Sequence, residues 1–208
     1  MIQRIKDVIC ELERQGFKLK ENENIVIDNA REKISTIGKI LLDDFVMLDE
    51  YEQIADFFQS GTKGRSLALI GGCGTGKTFF STKILPVLLK YELNKQCTII
   101  KATELADNLS KYMRQNYLVI DDVGTEEDFN NFGNKKHQFA EWVNSIEYRD
   151  CFTAISTNLN GEQIKQKYDQ RTHDRIKGNF KVILFKNQSF RKQLKKSGGE
   201  KLTEILDT

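Results

Sequence analysis

Several residue types are scarce in this chain of 208 residues, and each scarcity argues against a class of site. The chain contains two histidines and four cysteines, and the cysteines form no C-x-x-C pair. Zinc sites are built mainly from His and Cys at short spacing, so a zinc site is not expected. Widely separated thiols suit a reducing compartment, so we expect four free cysteines.

Long apolar runs and a dominant charge of one sign are also missing. No apolar run approaches the roughly 20 residues that span a membrane, and the charged start MIQRIKDVICELERQ argues against a signal peptide. We therefore expect a cytoplasmic protein. Hydrophobic residues make up 39% and the net charge is +2, so a globular domain is expected and any basic surface for nucleic acid must be local.

The first sixty residues show helical periodicity. Apolar residues recur at helical spacing in 2–14, and two further periodic stretches follow at about 34–41 and 45–57. The segment ENENIVIDNARE between the first two is predicted to be a short strand or a turn. We predict a helical N-terminal extension over residues 1–60. It either packs on the main domain or forms an arm that binds a partner, and the periodicity favours neither.

After residue 61, short apolar runs alternate with longer amphipathic stretches. This alternation predicts an α/β domain with a mostly parallel sheet that is covered by helices on both faces. The predicted strands are 67–70, 97–100, 117–120, 151–156 and 181–185, and the predicted helices are 77–93, 103–115, 135–148 and 161–177. The only proline, Pro86, lies inside the first of these helices, where a kink is expected.

The glycine-rich loop after the first predicted strand, GGCGTGKT, matches the pattern G-x-x-x-x-G-K-[ST] in full. Glycines allow a loop to turn its N–H groups towards phosphates, and the following helix points its positive end at the same place. Lys77 supplies positive charge to the β- and γ-phosphates, and the Thr78 hydroxyl is a ligand for Mg²⁺. The predicted nucleotide-binding residues are Gly71, Gly72, Cys73, Gly74, Thr75, Gly76, Lys77 and Thr78.

Two carboxylates follow the apolar run YLVI. In an open α/β sheet, ligands bind at the carboxyl ends of the strands, where the glycine-rich loop also lies. Asp121 is therefore predicted to hold Mg²⁺ through water, and Asp122 is predicted to orient or deprotonate the attacking water. With the loop, these residues predict a nucleoside triphosphatase that uses ATP and Mg²⁺.

Two later segments add polar side chains. Asn158 ends the run AISTN and is predicted to reach the γ-phosphate from a neighbouring strand. Arg171 and Arg175 lie four residues apart, so they share one face of a helix. An arginine that enters a neighbouring subunit's site stabilises transition-state charge and couples hydrolysis to assembly. The alternative for this pair is an exposed basic face.

In this order, GGCGTGKT, YLVIDDVG, AISTN and QRTHDR resemble the motifs of AAA+ ATPases of the helicase-loader family, which includes DnaC-like loaders and IstB-like transposition helpers. The resemblance covers about residues 60–190. It implies a P-loop NTPase core with five parallel strands in the order 5-1-4-3-2 and no C-terminal lid domain. The implied roles are Walker A for 71–78, Walker B for Asp121 and Asp122, sensor I for Asn158, and the arginine finger for Arg175 with Arg171 as its companion.

Two departures from the superfamily pattern bear on activity. The second Walker B carboxylate is Asp122, where many AAA+ motors have glutamate, and a side chain one methylene shorter predicts slow hydrolysis. The segment 103–116 is shorter than the corresponding insertion in loaders that bind single-stranded DNA. This short segment argues against direct DNA binding.

The resemblance implies an ATP-dependent loader of a hexameric replicative helicase, which self-associates through Arg175 in trans. In this interpretation, residues 1–60 bind the helicase, 61–190 form the ATPase core and 191–208 form a basic tail. Two alternatives remain open: a transposition helper that acts on a transposase, and a nucleotide-sensing scaffold with negligible turnover. Four tail residues are predicted either to contact nucleic acid or to form a solvated helix face: Arg191, Lys192, Lys195 and Lys196.

Overall fold

A five-stranded parallel sheet lies at the centre of the structure. The computed structural model describes residues 2–16, 23–126, 129–131, 134–146 and 151–186, and the predicted basic tail lies outside them. The strands are β1 (Ser66–Gly71), β2 (Thr98–Lys101), β3 (Tyr117–Val123), β4 (Phe129–Asn131), β5 (Asn134–Lys136), β6 (Phe152–Thr157) and β7 (Phe180–Phe185). The central sheet has the order β2-β3-β6-β1-β7 with every pair parallel, which confirms the predicted strand order.

Helices cover the sheet and connect its strands. They are α1 (Ile2–Arg14), α2 (Ala30–Leu41), α3 (Asp49–Gln59), α4 (Lys77–Phe79), α5 (Leu85–Leu93), α6 (Leu105–Tyr112), α7 (Gln138–Ser145), α8 (Gly161–Lys167) and α9 (Gln170–Asn179). A π-helical turn, Phe80–Ile84, joins α4 to α5, and a 3₁₀ turn, Ala102–Glu104, precedes α6. Over the described part of the chain, no helix combines the length and apolar character that crossing a membrane requires.

The sheet is buried on both of its faces. Along β1, Leu67 and Leu69 belong to one apolar cluster and Ala68 belongs to the other, as expected from the two-residue period of a strand. The first cluster includes residues of α2, α3 and α5, and the second includes residues of α6, α7, α8 and α9. The result is the predicted α/β architecture, with helices on both faces.

The N-terminal extension divides into two parts. Residues 25–58 contribute buried side chains to the first core cluster, among them the fully buried Ile54 and Phe58. In contrast, α1 exposes its apolar residues: Ile2 is 71% exposed and Ile5 is 54% exposed. The helices α2 and α3 therefore pack on the main domain. The assignment of residues 1–60 to a separate partner-binding arm stays a prediction.

Three local features differ from the sequence-based expectations. The helix that contains Pro86 includes a π-helical turn that was not predicted and that ends two residues before the proline, while the kink expected at Pro86 stays a prediction. The helix predicted over 161–177 is two helices, because the Asp169 side chain accepts from Thr172 N and starts α9. The antiparallel hairpin β4–β5 was not predicted.

Two adjacent glycines of the glycine-rich loop provide a test of the packing between β1 and β7. A Cβ at Gly71 would lie 2.4 Å from the carbonyl oxygen of Phe185, whereas a Cβ at Gly72 would meet only a Thr75 methyl at 4.0 Å. We expect Gly71→Ala to lower the free energy of unfolding by about 1–3 kcal/mol because the strands must separate locally. Gly72→Ala, the matched control, should change it by less than about 0.5 kcal/mol.

Urea unfolding followed by circular dichroism, without nucleotide, measures both changes. Equal stability of the two variants would contradict the close approach of β1 and β7.

Candidate nucleotide-binding site

Three neighbouring strands end at the same edge of the sheet and bring the candidate residues together. β6 pairs with β1 on one side and with β3 on the other, and all three run in the same direction. The phosphate loop (residues 71–78), the acidic pair that ends β3 and Asn158 after β6 therefore lie side by side. Parallel register alone produces this arrangement from segments that are far apart in sequence.

The Lys77 side chain connects the phosphate loop with Asn158. Its Nζ donates to the carbonyl oxygens of Gly71 at 2.7 Å and Gly72 at 2.6 Å, and to Asn158 Oδ1 at 3.0 Å. Burial lowers the pKa of Lys77, and the nearby Cys73, Asp122 and Asp121 oppose this shift. The structure thus joins the two residues that were predicted to contact the terminal phosphates.

A Thr78–Asp121 contact identifies the candidate Mg²⁺ position. Thr78 Oγ1 donates to Asp121 Oδ1 at 3.1 Å, so the hydroxyl and the carboxylate face the same point. The described residues contain no cluster of three or more His, Cys, Asp or Glu side chains with metal-ligand geometry. Mg²⁺ typically takes one or two protein oxygens and completes its shell with water and phosphate oxygens, so this small oxygen donor set fits the ion.

The backbone at Asp122 departs from regular strand geometry. The pairing of β3 with β6 shifts register between Ile120 and Val123, and Asp122 has a φ of 56°. This left-handed conformation is uncommon except in glycine, asparagine and aspartate. Asp121 is buried whereas Asp122 lines the cavity at the sheet edge. The bulge therefore gives two adjacent carboxylates different surroundings and different candidate roles.

Ser156 stabilises this bulge, and the sequence analysis did not single it out. The fully buried Ser156 hydroxyl donates to Asp121 Oδ1 and accepts from the Asp122 backbone N at 3.1 Å. One side chain therefore fixes both the Asp121 carboxylate and the conformation of the residue after it. A serine two residues before Asn158 was the available signal, but a single hydroxyl in an apolar strand does not indicate its partner.

A cavity of about 830 Å³ extends from the phosphate loop to the segment between α2 and α3. This segment, residues 42–48, is called the wall segment here, and it contributes Leu42, Asp44, Phe45, Val46 and Leu48 to the lining. Phosphate-loop residues and Asn158 form the opposite side. A pocket with one apolar end and one polar, cationic end suits a ligand that has a flat base and a phosphate chain.

Aromatic packing holds the wall segment against the phosphate loop. The Tyr51 hydroxyl donates to the carbonyl oxygen of Gly76 at 2.9 Å, and the Phe45 ring stacks on Tyr51 at a centroid distance of 5.8 Å. Burial, with a smaller effect of Glu50, raises the pKa of Tyr51, so this hydroxyl remains a donor at neutral pH. The wall segment was not predicted from the sequence, because its apolar residues also fit the periodicity of a helix.

The structure places the two predicted arginines away from this cavity. Arg175 Nη1 donates to the carbonyl oxygen of Asn144 in α7 at 2.6 Å, and Arg171 is exposed. Both residues line a separate cavity of about 560 Å³ along α9. They are thus not part of the nucleotide cavity of their own chain, and their role in a neighbouring subunit stays a prediction.

Comparisons with known proteins agree with this fold. The family model of RNA helicases matches residues 67–159, which is less than half of the chain. A DnaI crystal structure has a TM-score of 0.55 at 19% identity and covers 74% of this chain and 93% of its own. A DnaC helicase-loader structure has a TM-score of 0.52 at 16% identity and covers 74% and 99%.

AMPPCP-bound DnaA from Aquifex aeolicus has a TM-score of 0.49 at 17% identity, with coverage of 76% and 54%. No curated protein matches the chain.

The fold and the glycine-rich loop together define a P-loop NTPase fold. This fold is shared with the DnaI and DnaC structures, which confirms the resemblance to DnaC-like AAA+ ATPases at the level of the fold. A P-loop NTPase fold implies that a nucleotide is bound. At these identities the likeness establishes the fold alone, so the client and the activity have to be argued from the site.

The cysteine in the phosphate loop provides a test of nucleotide binding. Cys73 and Cys10 are both exposed, but only Cys73 lines the cavity. We expect iodoacetamide at pH 8 to modify both, and saturating ATP with Mg²⁺ to slow the modification of Cys73 by about tenfold or more because bound phosphates cover the thiol. Peptide mass spectrometry measures the rates at each cysteine.

Cys10 is the internal control and should react at the same rate with and without nucleotide. Burial raises the pKa of Cys97 to about 12, so this thiol should react slowly throughout. An unchanged Cys73 rate at saturating ATP would argue against phosphate binding at this loop.

Proposed function

We propose that this protein binds ATP, hydrolyses it slowly and acts as a loader of a replicative helicase in the cytoplasm. The observation that carries the ATPase proposal is the joint placement of Lys77, Asn158, Thr78 and Asp121 at one edge of the cavity. Each of these two contacts joins segments that are remote in sequence. The arrangement matches the requirements of phosphoryl transfer, which depends mainly on positioning and on charge stabilisation.

The proposed chemistry uses groups that are already oriented. Lys77 exchanges its carbonyl partners in the loop for the β- and γ-phosphates, and Asn158 contacts the γ-phosphate or the attacking water. Thr78 and Asp121 would hold Mg²⁺, which neutralises developing phosphate charge when bound. Asp122 orients the attacking water from its position on the bulge. Its short side chain supports the proposal of a slow switch.

The wall segment is the proposed site of the base. Val46 is 60% exposed in the absence of ligand, and Leu42 is 48% exposed, although both side chains are apolar. A bound adenine ring would cover these two side chains, and the removal of their apolar surface from water would favour binding. Asp44 lies in the same lining and offers a carboxylate to an exocyclic amino group.

The helicase-loading proposal rests on two supports. One is the shared fold with DnaI and with DnaC, the latter described as a helicase loader. The other is α1, whose Ile2, Ile5 and Val8 are each more than half exposed although they form one apolar side of the helix. We propose that this side of α1 binds the helicase. Residues 25–58 of the extension, in contrast, contribute buried side chains to the core.

Self-association through α9 completes the proposal. Arg171 is exposed and therefore free to approach the nucleotide of a neighbouring subunit, while Arg175 anchors α9 to α7. An arginine delivered in trans would make turnover depend on assembly. Direct binding of single-stranded DNA is not part of the proposal.

The ATPase proposal predicts different defects for two substitutions. Lys77→Ala should weaken ATP binding at least about tenfold, because the residue contributes charge to both terminal phosphates. Asp122→Asn should keep the dissociation constant within about threefold but lower turnover by about 10²-fold, as expected for loss of a residue that orients or activates water. Fluorescent-nucleotide titration and phosphate release measure these two quantities.

Lys83→Ala is the control for loss of a lysine from the same helical segment, since Lys83 is exposed and does not line the cavity. It should behave like the unaltered protein. Tight ATP binding with turnover that Asp122→Asn leaves unchanged would favour the nucleotide-sensing scaffold over the ATPase.

The client proposal predicts that one exposed isoleucine contributes to helicase binding and that another does not. Ile5 on α1 is 54% exposed and Ile40 on α2 is 77% exposed, so aspartate is tolerated at either position without loss of core packing. Ile5→Asp should weaken binding to the purified hexameric helicase of the same organism by about tenfold or more, because a charge enters an apolar interface. Ile40→Asp should leave binding unchanged.

Both variants are made with Asp122→Asn and ATP to hold the client-bound state, and binding is measured by biolayer interferometry. Equal affinity of the two variants would exclude this side of α1 as the docking surface. Binding to a transposase in place of the helicase would replace the loader with a transposition helper.

A further inference from the structure

A buried glutamate follows the Walker B strand and has no role in the chemistry proposed above. Glu126 is 7% exposed. Its Oε2 accepts from the Gly124 backbone N at 2.8 Å, and its Oε1 accepts from the Tyr168 hydroxyl. Its carbonyl oxygen accepts from Lys167 Nζ at 3.0 Å. A buried carboxylate is retained only when such donors compensate for the loss of water, so these contacts fix its position.

On one side, Glu126 belongs to the Walker B loop (residues 121–126). Thr125 donates to the Asp122 carbonyl oxygen through both its backbone N, at 3.1 Å, and its hydroxyl, at 2.8 Å. Gly124 lies between them and packs so closely on Leu159, one residue after Asn158, that a Cβ would come within 2.6 Å. The loop from Asp122 to Glu126 is therefore one hydrogen-bonded turn that cannot shift at one end alone.

On the other side, Tyr168 lies between α8 and α9. It is 7% exposed, and its ring packs on Phe139 of α7 at 5.0 Å and on His137 at 5.5 Å. The next residue, Asp169, accepts from Thr172 N and starts α9. The hydroxyl that holds Glu126 is thus two residues from the start of the helix that carries Arg171.

We propose that Glu126 is a positioning residue that joins the Walker B loop to α9, so that the placement of Asp122 depends on the position of the arginine-bearing helix. Contact of α9 with a neighbouring subunit would act on Asp122 through Tyr168, Glu126 and Gly124. This inference rests on the proposed ATPase. It adds a second route by which assembly raises turnover, besides any arginine that reaches the neighbouring site directly.

Tyr168→Phe tests the link because it removes the hydroxyl and keeps the ring. Tyr117 provides a matched control: it is also 7% exposed, and its hydroxyl donates to a glutamate, Glu23, at the opposite end of β3 from the carboxylates. We expect Tyr168→Phe to lower kcat about five- to tenfold and to leave the ATP dissociation constant within about twofold. Tyr117→Phe should change neither, even if it lowers the melting temperature.

A double-mutant cycle separates coupling from general loosening of the structure. Tyr168→Phe and Glu126→Gln alter the two partners of one hydrogen bond, so the double variant should turn over about as slowly as the slower single variant. Rates that multiply would show independent effects and would overturn the coupling. The readout is phosphate release per subunit at a protein concentration that supports assembly.

A second substitution keeps the test decisive if Tyr168→Phe does not fold. Glu126→Gln preserves the size of the side chain and an acceptor for Gly124 N–H but removes the charge, and the same loss of kcat is expected. Turnover by the unaltered protein together with unchanged kcat in both variants would overturn this inference alone. Absence of ATP turnover in the unaltered protein would overturn the proposed ATPase and, with it, the link.

Discussion

The position of β6 between β1 and β3 is the constraint on which the candidate site depends. β6 pairs with β1 through Leu67–Ile70 and with β3 through Tyr117–Val123. Its last residues therefore face the phosphate loop on one side and the acidic pair on the other. Ser156 contacts Asp121 and Asp122, and Asn158 contacts Lys77. A one-residue slip of β6 would break all of these contacts at once, because alternate residues point to opposite faces.

This constraint explains why two adjacent aspartates differ. In a regular strand the Asp121 and Asp122 side chains would point to opposite faces of the sheet, and one would enter the core. The bulge stabilised by Ser156 instead leaves Asp121 beside Thr78 and exposes Asp122 to the cavity. The left-handed conformation of Asp122 carries a local energetic cost. Two hydrogen bonds offset it: Asp122 N donates to the Ser156 hydroxyl, and the Thr125 hydroxyl donates to the Asp122 carbonyl oxygen.

The sequence was sufficient for the sheet and for the residues at its edge, because both depend on local patterns. Buried parallel strands appear as apolar runs such as YLVI, and a phosphate loop needs glycines at fixed spacing. The sequence was insufficient wherever a contact joins remote segments. Ser156 and Glu126 act through partners more than thirty residues away, and the wall segment lines a cavity with residues as remote as Asn158. No periodicity encodes such partners.

The boundary of the N-terminal extension could not be predicted from the sequence either, for a related physical reason. The periodicity of α1 resembles that of α2 and α3, and a helix shows the same apolar side whether it packs in the core or stays exposed. Tertiary contact decides the outcome: Ile27 N donates to the Phe58 carbonyl oxygen, and this bond holds the segment before α2 against α3. A similar limit applied to α8 and α9, where the side chain of Asp169 separates two helices that periodicity had joined.

The site is held from both faces of the sheet, which would give the proposed ATPase two points of control. From the first face, Tyr51 of α3 donates to the Gly76 carbonyl oxygen at the start of the phosphate-loop helix. From the second face, Tyr168 holds the Walker B loop through Glu126. A displacement of α3 would thus shift the phosphate loop, and a displacement of α9 would shift the acidic pair. Because the proposed hydrolysis needs both groups in register, turnover would then depend on two separate contacts.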